Sequence, residues 1–157
     1  MDKDIGIKIV ADLNDRQTRQ LVLILNCDKK LNQSLGNQKN KITVKQFKFK
    51  NKAWAKDNQA KIFAIMNKNH AIGMISLSHI NLKNKKANIG YWLTNKHWGK
   101  GITTEAFKQV LAIAKKNKIK YVSCTIAKNN KSSLGIWQTF RAIIKQNGEN
   151  ITPLIEL

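Results

Sequence analysis

An α/β (α+β) fold follows from three features of this 157-residue chain. An apolar, β-prone run, Ile89-Gly90-Tyr91-Trp92-Leu93, stops at Thr94-Asn95, passes through a loop holding Gly99 and Gly101, and enters an amphipathic helix. Two further apolar runs, Lys61–Met66 and Ala71–His79, flank the turn Asn67-Lys68-Asn69-His70, which is a hairpin signal. Side-chain caps mark helix starts: Thr43-Val44-Lys45-Gln46 is a capping box, and Asn14 or Asp15 precedes the apolar positions Leu21, Ile24 and Leu25. The length suits one domain over residues 1–157 with a substantial core.

In chain order, Ile5–Val10 alternates weakly and reads as a first strand, and the helix capped by Asn14 or Asp15 runs to about Asn26. Residues 28–41 are polar, with Gly36 and several asparagines, and read as a loop or a short helix. The helix opened by Thr43 extends toward Asp57, with Val44, Phe47 and Trp54 at helical spacing as core contacts. After the hairpin, Asn84-Lys85-Lys86 turns the chain into the strand Ala87–Leu93. The helix Thr103–Asn117 buries Phe107, Val110, Leu111 and Ala114 and exposes Lys108, Lys115 and Lys116. Tyr121–Ile126 is the next strand, and Asn130 or Ser132 caps a short helix to Phe140. Two strands, Ala142–Gln146 and Ile151–Glu156, close the chain around Asn147-Gly148.

The strand, glycine loop and helix start at 89–106 place bare backbone N–H groups at the positive end of a helix dipole, which suits a phosphate-bearing ligand. Without a Cβ, Gly99 and Gly101 accept positive φ and let a ligand approach the main chain. The spacing excludes the commoner phosphate loops. A Walker loop requires G-x-x-x-x-G-K-[ST], and a dinucleotide fingerprint requires a third glycine three residues after the second. Here Gly101 is followed by Ile102, Thr103 and Thr104.

Lys96-His97-Trp98-Gly99-Lys100-Gly101 resembles the acyl-CoA loop of the GNAT superfamily of N-acetyltransferases, Q/R-x-x-G-x-G/A. Lysine replaces the glutamine or arginine, which keeps a donor and changes its geometry. The run Ile89–Leu93, with Trp98-Gly99-Lys100-Gly101 and Thr104-Glu105-Ala106, is similar to the RimJ/RimL type (ribosomal-protein-alanine N-acetyltransferases), which acetylates protein N-termini. Asn130-Lys131-Ser132-Ser133 fits the family's N-x-x-S, about 30 residues on and in the family's order. The clear resemblance spans roughly residues 60–140, and the first 55 match only in general layout. It implies the GNAT fold: a central mixed, mostly antiparallel, splayed sheet flanked by about four helices, in the order β-α-α-β-β-β-α-β-α-β.

The resemblance also implies acetyl transfer from acetyl-CoA, as co-substrate and without a metal, to an amine. Backbone N–H groups of Lys96, His97, Trp98, Gly99, Lys100, Gly101, Ile102 and Thr103 would grip the pyrophosphate, with Lys100 adding charge. The main chain of Trp92, Leu93 and Thr94 would pair with the pantetheine arm, and Asn130 would hydrogen-bond that arm across the splay. Each residue has a plainer role open to it: Asn130 as a helix cap, Trp92 as a core aromatic, Lys100 as a solvated lysine.

The proton-transfer groups depart from the family pattern. Asn88 stands where relatives carry a carboxylate before Ile-Gly-Tyr, and an amide is no base. Trp137 stands seven residues after Asn130, where many members place a tyrosine acid. The RimL-like pattern points instead to Ser133 as the catalytic residue, its hydroxyl hydrogen-bonding the leaving thiolate; the alternative is a serine that only opens a helix. Arg141-Ala142 replaces a Gly-Phe, so the last turn is expected to differ. For the base, His70, His79, His97, Asp57, Glu105 and an ordered water all stay open. An α-amine, with a pKa near ~8, lies roughly two units below lysine and needs less help. The missing carboxylate therefore tilts the acceptor toward an α-amine or another weakly basic amine.

The net charge of +20 comes from 26 lysines and 3 arginines against 9 acids, beside 18 asparagines, and an AT-rich coding bias accounts for that lysine and asparagine usage as readily as function does. Whatever its origin, the field draws in polyanions, such as the ribosome or another anionic partner, and disfavours a polyamine. The lysines are scattered and no aromatic-stacking motif joins them, so specific nucleic-acid recognition is not expected. Leu21–Leu25 is too short to span a bilayer, Met1-Asp2-Lys3-Asp4 lacks a signal-peptide start, and Cys27 and Cys124 read as separate reduced thiols. These features predict a cytoplasmic location without membrane contact.

Two readings result. One is an acetyl-CoA-dependent N-acetyltransferase acting on a protein N-terminal α-amine or a small amine. The other is a degenerate domain that binds acyl-CoA or an anionic partner without turnover, which Asn88, Trp137 and Arg141 favour. A nucleic-acid binder rests on charge alone.

Overall fold

The structure, a computed structural model, describes residues 4–36 and 40–157. The expectations at Met1, Asp2 and Lys3 and at residues 37–39 lie outside the described residues. Along the chain come β1 (Ile5–Ile9), a 3-10 turn (Val10–Asp12), α1 (Asp15–Cys27), α2 (Lys29–Ser34) and α3 (Val44–Asp57). The strands β2 (Lys61–Asn67), β3 (His70–Asn81) and β4 (Lys86–Leu93) follow, then a 3-10 turn (Asn95–His97) and α4 (Ile102–Lys116). The chain ends with β5 (Tyr121–Ser123), β6 (Ile126–Ala127), α5 (Lys131–Thr139), β7 (Ile143–Asn147) and β8 (Asn150–Glu156).

The side-chain caps act where the sequence places them. Asn14 and Gln17 form a capping box at α1, and Thr43 and Gln46 form another at α3. The polar stretch left open between loop and helix holds α2, capped by Asp28. The strand expected over Tyr121–Ile126 is interrupted instead. Its pairings with β8 on either side, Ser123↔Leu154 and Ile126↔Ile151, put Pro153 opposite the gap, and proline has no N–H to give the ladder. After α5, Arg141 adopts φ +61°, the left-handed conformation that glycine takes without strain.

The eight strands form one mixed sheet in the order β1-β2-β3-β4-β5-β8-β6, with β7 on the other edge of β8. Among the described strands only β4 and β5 run parallel. Their pairing covers Lys86↔Tyr121, Ala87↔Val122 and Asn88↔Ser123 and then ends, while β4 stays bonded to β3 as far as Leu93↔Gly73. This is the splay. Both sheet faces are covered, so β2 is a continuous apolar run rather than an alternating one. Its Phe63 and Ile65 join Phe107, Val110 and Ala114 of α4, while Ile62, Ala64 and Met66 join Leu21 and Val22 of α1 and Phe47 of α3. Trp54, expected in the core, is 40% exposed at the edge of this second layer.

One carboxylate ties the helical layer to the end of β4. Asp28 is buried at the α1–α2 corner and accepts Leu31 N–H (3.0 Å), the Thr94 hydroxyl (2.9 Å), Asn95 N–H (2.8 Å) and the Asn95 amide (2.9 Å). Desolvation raises its pKa, but these hydrogen bonds outweigh that effect and hold it below 3.8. Removing the carboxylate strands buried donors, so D28A is expected to cost about 1–3 kcal/mol in urea unfolding at neutral pH. Because the folded pKa is depressed, the carboxylate's contribution is fully present above the unfolded value, about 3.9, and is lost as pH falls through the folded pKa. The acid limb of wild-type stability below about pH 4 is therefore expected to be shallower in D28N.

Candidate active site

The loop after β4 is held by its own side chains. Thr94 N–H donates to Ile72 O (2.9 Å), the last bond of β4's end to β3. His97 N–H and Trp98 N–H close the 3-10 turn on Thr94 O (3.1 Å) and Asn95 O (3.0 Å). Trp98 then folds back, its indole N–H donating to Leu93 O at 2.7 Å. Gly99 and Gly101 take φ +73° and +76°, the left-handed region that their lack of a Cβ permits. Among the described residues, the N–H groups of Gly99, Lys100 and Gly101 meet no acceptor. No side chain caps α4, so its first N–H groups also point outward into the positive end of the helix dipole. Lys96 and Lys100 are exposed, and His97 is half-buried. Desolvation lowers the His97 pKa below 6.5, and Lys100 and Lys96 lower it further.

The alternation of an antiparallel ladder decides which main-chain groups of β4 face the splay. Thr94 N–H points to β3, so Trp92, two residues back, directs its main chain there as well. The main-chain groups of Tyr91 and Leu93 face the open edge. Of the three residues expected beside a pantetheine arm, Leu93 thus has the outward geometry, and Tyr91 joins it. The Trp92 side chain lies on the α3 face beside Met74.

The far bank is the start of α5. Asn130 caps that helix, its Oδ1 accepting Ser133 N–H at 3.2 Å. Ser133 is half-buried, and its hydroxyl is hydrogen-bonded to the Tyr91 hydroxyl of β4, a side-chain link across the splay. Burial raises the Tyr91 pKa above 10.0; the Ser133 bond opposes this, Cys124 adds to it and Trp137 opposes it. The Tyr91 ring packs edge-on against Phe107 (6.1 Å), which packs edge-on against Trp137 (4.9 Å) and stacks on Phe140 (5.1 Å). Trp137 is fully buried. Burial pushes the Cys124 thiol up to about 12, which leaves it protonated and unreactive.

Two cavities border β4 and the loop that follows it. One, of about 230 Å³ on the α3 face, is lined by Asn51, Trp54, Met74, Ser76, Tyr91 and Trp92, without a carboxylate or imidazole. The other, of about 380 Å³, lies between α1 and the loop, where Lys68, His70, Lys96 and His97 surround Ile24 and Ile72. Most of the candidate bases are placed away from the first cavity. His79 bonds Ser78 near the opposite end of β3, Glu105 pairs with Gln109 on α4, and Asp57 ends α3 in solvent. Asn88 is exposed and directly opposite Ser78. Among the described residues no cluster of three or more His, Cys, Asp or Glu side chains forms a metal site.

Leu93 thus turns its main chain to the open edge, Lys96–Thr103 continue β4 into α4, and Asn130 and Ser133 open α5, which the Tyr91–Ser133 bond joins to β4. Two residues escaped the sequence reading. Tyr91 shares the inward parity of Ile89 and Leu93 and so looks like core, and Asp28 sits in a stretch without periodicity. The Ile-Gly-Tyr-Trp-Leu run itself was the available signal for Tyr91.

Residues 13–141 match the family of the acetyltransferase (GNAT) domain. Over 52 residues the chain is 42% identical to the ribosomal-protein-serine acetyltransferase of Escherichia coli K12, a stretch that covers 33% of this chain and 29% of that protein. Its fold is similar to that of RimL, the ribosomal L7/L12 alpha-N-protein acetyltransferase, solved in complex with coenzyme A (TM-score 0.81, 18% identity, 99% of this chain and 95% of that one). It is similar also to the microcin C7 self-immunity acetyltransferase MccE, solved with acetyl-CoA and AMP (TM-score 0.79, 22% identity, 99% and 93%). The splayed sheet, the uncapped helix behind a glycine loop and a domain match over most of the sequence agree, and the chain belongs to the GNAT acetyltransferase family.

Proposed function

We propose that the protein is an N-acetyltransferase that uses acetyl-CoA and acts on a primary amine, a protein N-terminal α-amine of the ribosomal-protein type or a small amine. The observation that carries this reading is the placement of two sets of backbone groups, open except at Leu93 O, which accepts the Trp98 indole N–H. The N–H groups from Gly99 into α4 would take the pyrophosphate, and the open edge of β4 at Leu93 and Tyr91 would take the pantetheine arm. An arm laid along that edge passes between β4 and α5, where Asn130 and Ser133 stand. The amine enters from the α3 cavity and attacks the thioester carbonyl carbon. The carbon–sulfur bond breaks, and the departing thiolate receives the Ser133 hydroxyl hydrogen bond.

The α3 cavity has no general base, so the ammonium proton leaves through water before attack. That condition favours an α-amine. At pH 7 roughly a tenth of an amine with pKa ~8 is neutral, against fewer than about one in a thousand lysine side chains. The name of the Escherichia coli relative, a ribosomal-protein acetyltransferase, supports the same class. A cytoplasmic site of action fits both. The +20 charge would aid approach to an anionic acceptor or to the ribosome surface. No described helix is long and apolar enough to cross a membrane. Asn88 and Trp137 favour the second reading, acyl-CoA binding without turnover.

Calorimetric titration at near-physiological salt tests the cofactor site. Saturable one-site binding of acetyl-CoA with much weaker binding of ATP is expected, and equal affinity for both would mean attraction of any phosphate to a basic surface. Acetylation of N-terminal peptides, followed by mass spectrometry, separates the two readings. Binding should also be coupled to protons. The free protein holds the His97 pKa below 6.5, and a bound pyrophosphate would raise it, so binding takes up protons and tightens as pH falls toward 6. Titrations in two buffers of different ionisation heat should detect this uptake in the wild type and a smaller one in H97Q.

A further inference from the structure

We infer that Tyr91 is a positioning residue whose hydroxyl, by donating to Ser133 Oγ, turns the Ser133 proton toward the departing sulfur. The inference rests on the proposed role of Ser133. The proposed binding of a cofactor uses the Tyr91 main chain and neither the Tyr91 hydroxyl nor the Trp137 indole. Tyr91 reaches Ser133 Oγ from β4, across the gap the pantetheine arm would cross.

A hydrogen bond between two hydroxyls has two possible directions, and here the chemistry selects one. A phenol is a far stronger acid than an alkanol, so it is the better donor of the two. Trp137 adds a second bias. Its indole nitrogen is donor-only, fully buried, and without a partner in hydrogen-bond geometry. Its ring and that of Tyr91 pack against the same Phe107, and it opposes the rise that burial gives the Tyr91 pKa. With Tyr91 donating, Ser133 has only its own proton left to give. The pair Tyr91 O–H, Ser133 O–H thus has one direction, and it ends at the position proposed for the leaving group.

No net proton leaves Tyr91 in this scheme. Burial keeps the phenol protonated, and the bond order along the chain is unchanged by turnover. The thiolate is stabilised by the Ser133 hydrogen bond and takes its proton from solvent on release. Tyr91 acts by removing the alternative in which Ser133 spends its proton on a neighbour.

The Y91F variant tests this because the ring stays packed on Phe107 while the hydroxyl is lost. Kinetics are measured with acetyl-CoA and an N-terminal peptide for wild type, Y91F, S133A and the double variant. Y91F should lower kcat by about 3- to 10-fold with KM for acetyl-CoA unchanged. The double variant should be no slower than S133A, since Tyr91 works only through that serine. A second readout needs no turnover. The thiol of bound CoA, followed by thiolate ultraviolet absorbance against pH, should titrate below its free value in the wild type and higher in Y91F, S133A and W137F. If S133A keeps wild-type kcat and thiol titration, the role of Ser133 falls and the inference with it. If S133A is impaired while Y91F and W137F match the wild type, Ser133 stands and the inference about Tyr91 is overturned.

Discussion

The parting of β4 from β5 after three residue pairs is the constraint on which the rest of the molecule depends. Backbone N–H and C=O groups inside a sheet find partners almost without exception, and an edge strand left bare is a standing site for another chain or ligand. Here the bare edge lies in the middle of the sheet, with β3 bonded to one side of β4 and nothing of β5 on the other beyond Asn88. The gap borders a block of aromatic side chains. Tyr91, Phe107, Trp137 and Phe140 pack below it as one aromatic cluster. On the far bank Pro153 stands where the ladder of β8 would otherwise run unbroken past β5 into β6.

From that opening the site is assembled by anchors. Asp28 fixes Thr94 and Asn95 to the α1–α2 corner, and the indole of Trp98 returns to Leu93 O. Between these clamps and α4, Gly99 and Gly101 take left-handed φ, and in the proposed role the loop N–H groups would be aimed before a ligand arrives. Such preorganised donors cost no reorientation at the moment of use, which is the main source of electrostatic advantage in enzymes. Among the described residues, the lining of the cavity on the α3 face includes no carboxylate and no imidazole, so on the proposed mechanism orientation and leaving-group stabilisation would carry the rate.

How far the sequence could be read depended on whether a feature was local. The cap at Asn14 or Asp15, the capping box at Thr43, the hairpin at Asn67–His70 and the α4 face of Phe107, Val110, Leu111 and Ala114 all announce themselves within a few residues, and the structure has each of them, with Asn14 as the cap. Features set by distant partners were not legible. The break at Cys124 and Thr125 depends on a proline some thirty residues later on β8. Asp28 looks like one more polar residue until Thr94 and Asn95 are brought to it. Trp54 has the spacing of a core residue yet borders a cavity, because helical period reports which face a residue is on and not how deeply it lies. The glycine loop was readable because its meaning is carried by backbone conformation. Tyr91 was hidden in a strand whose inward parity already explained it.

The most direct test of this account is amide hydrogen exchange with and without acetyl-CoA. The account predicts that added protection concentrates at two places, the open edge of β4 at Tyr91 and Leu93 and the N–H groups from Gly99 through Thr103, with β1 and β2 unchanged. Protection confined to the cavity between α1 and the loop, or spread over the lysine-rich surface with β4 unaffected, would contradict it.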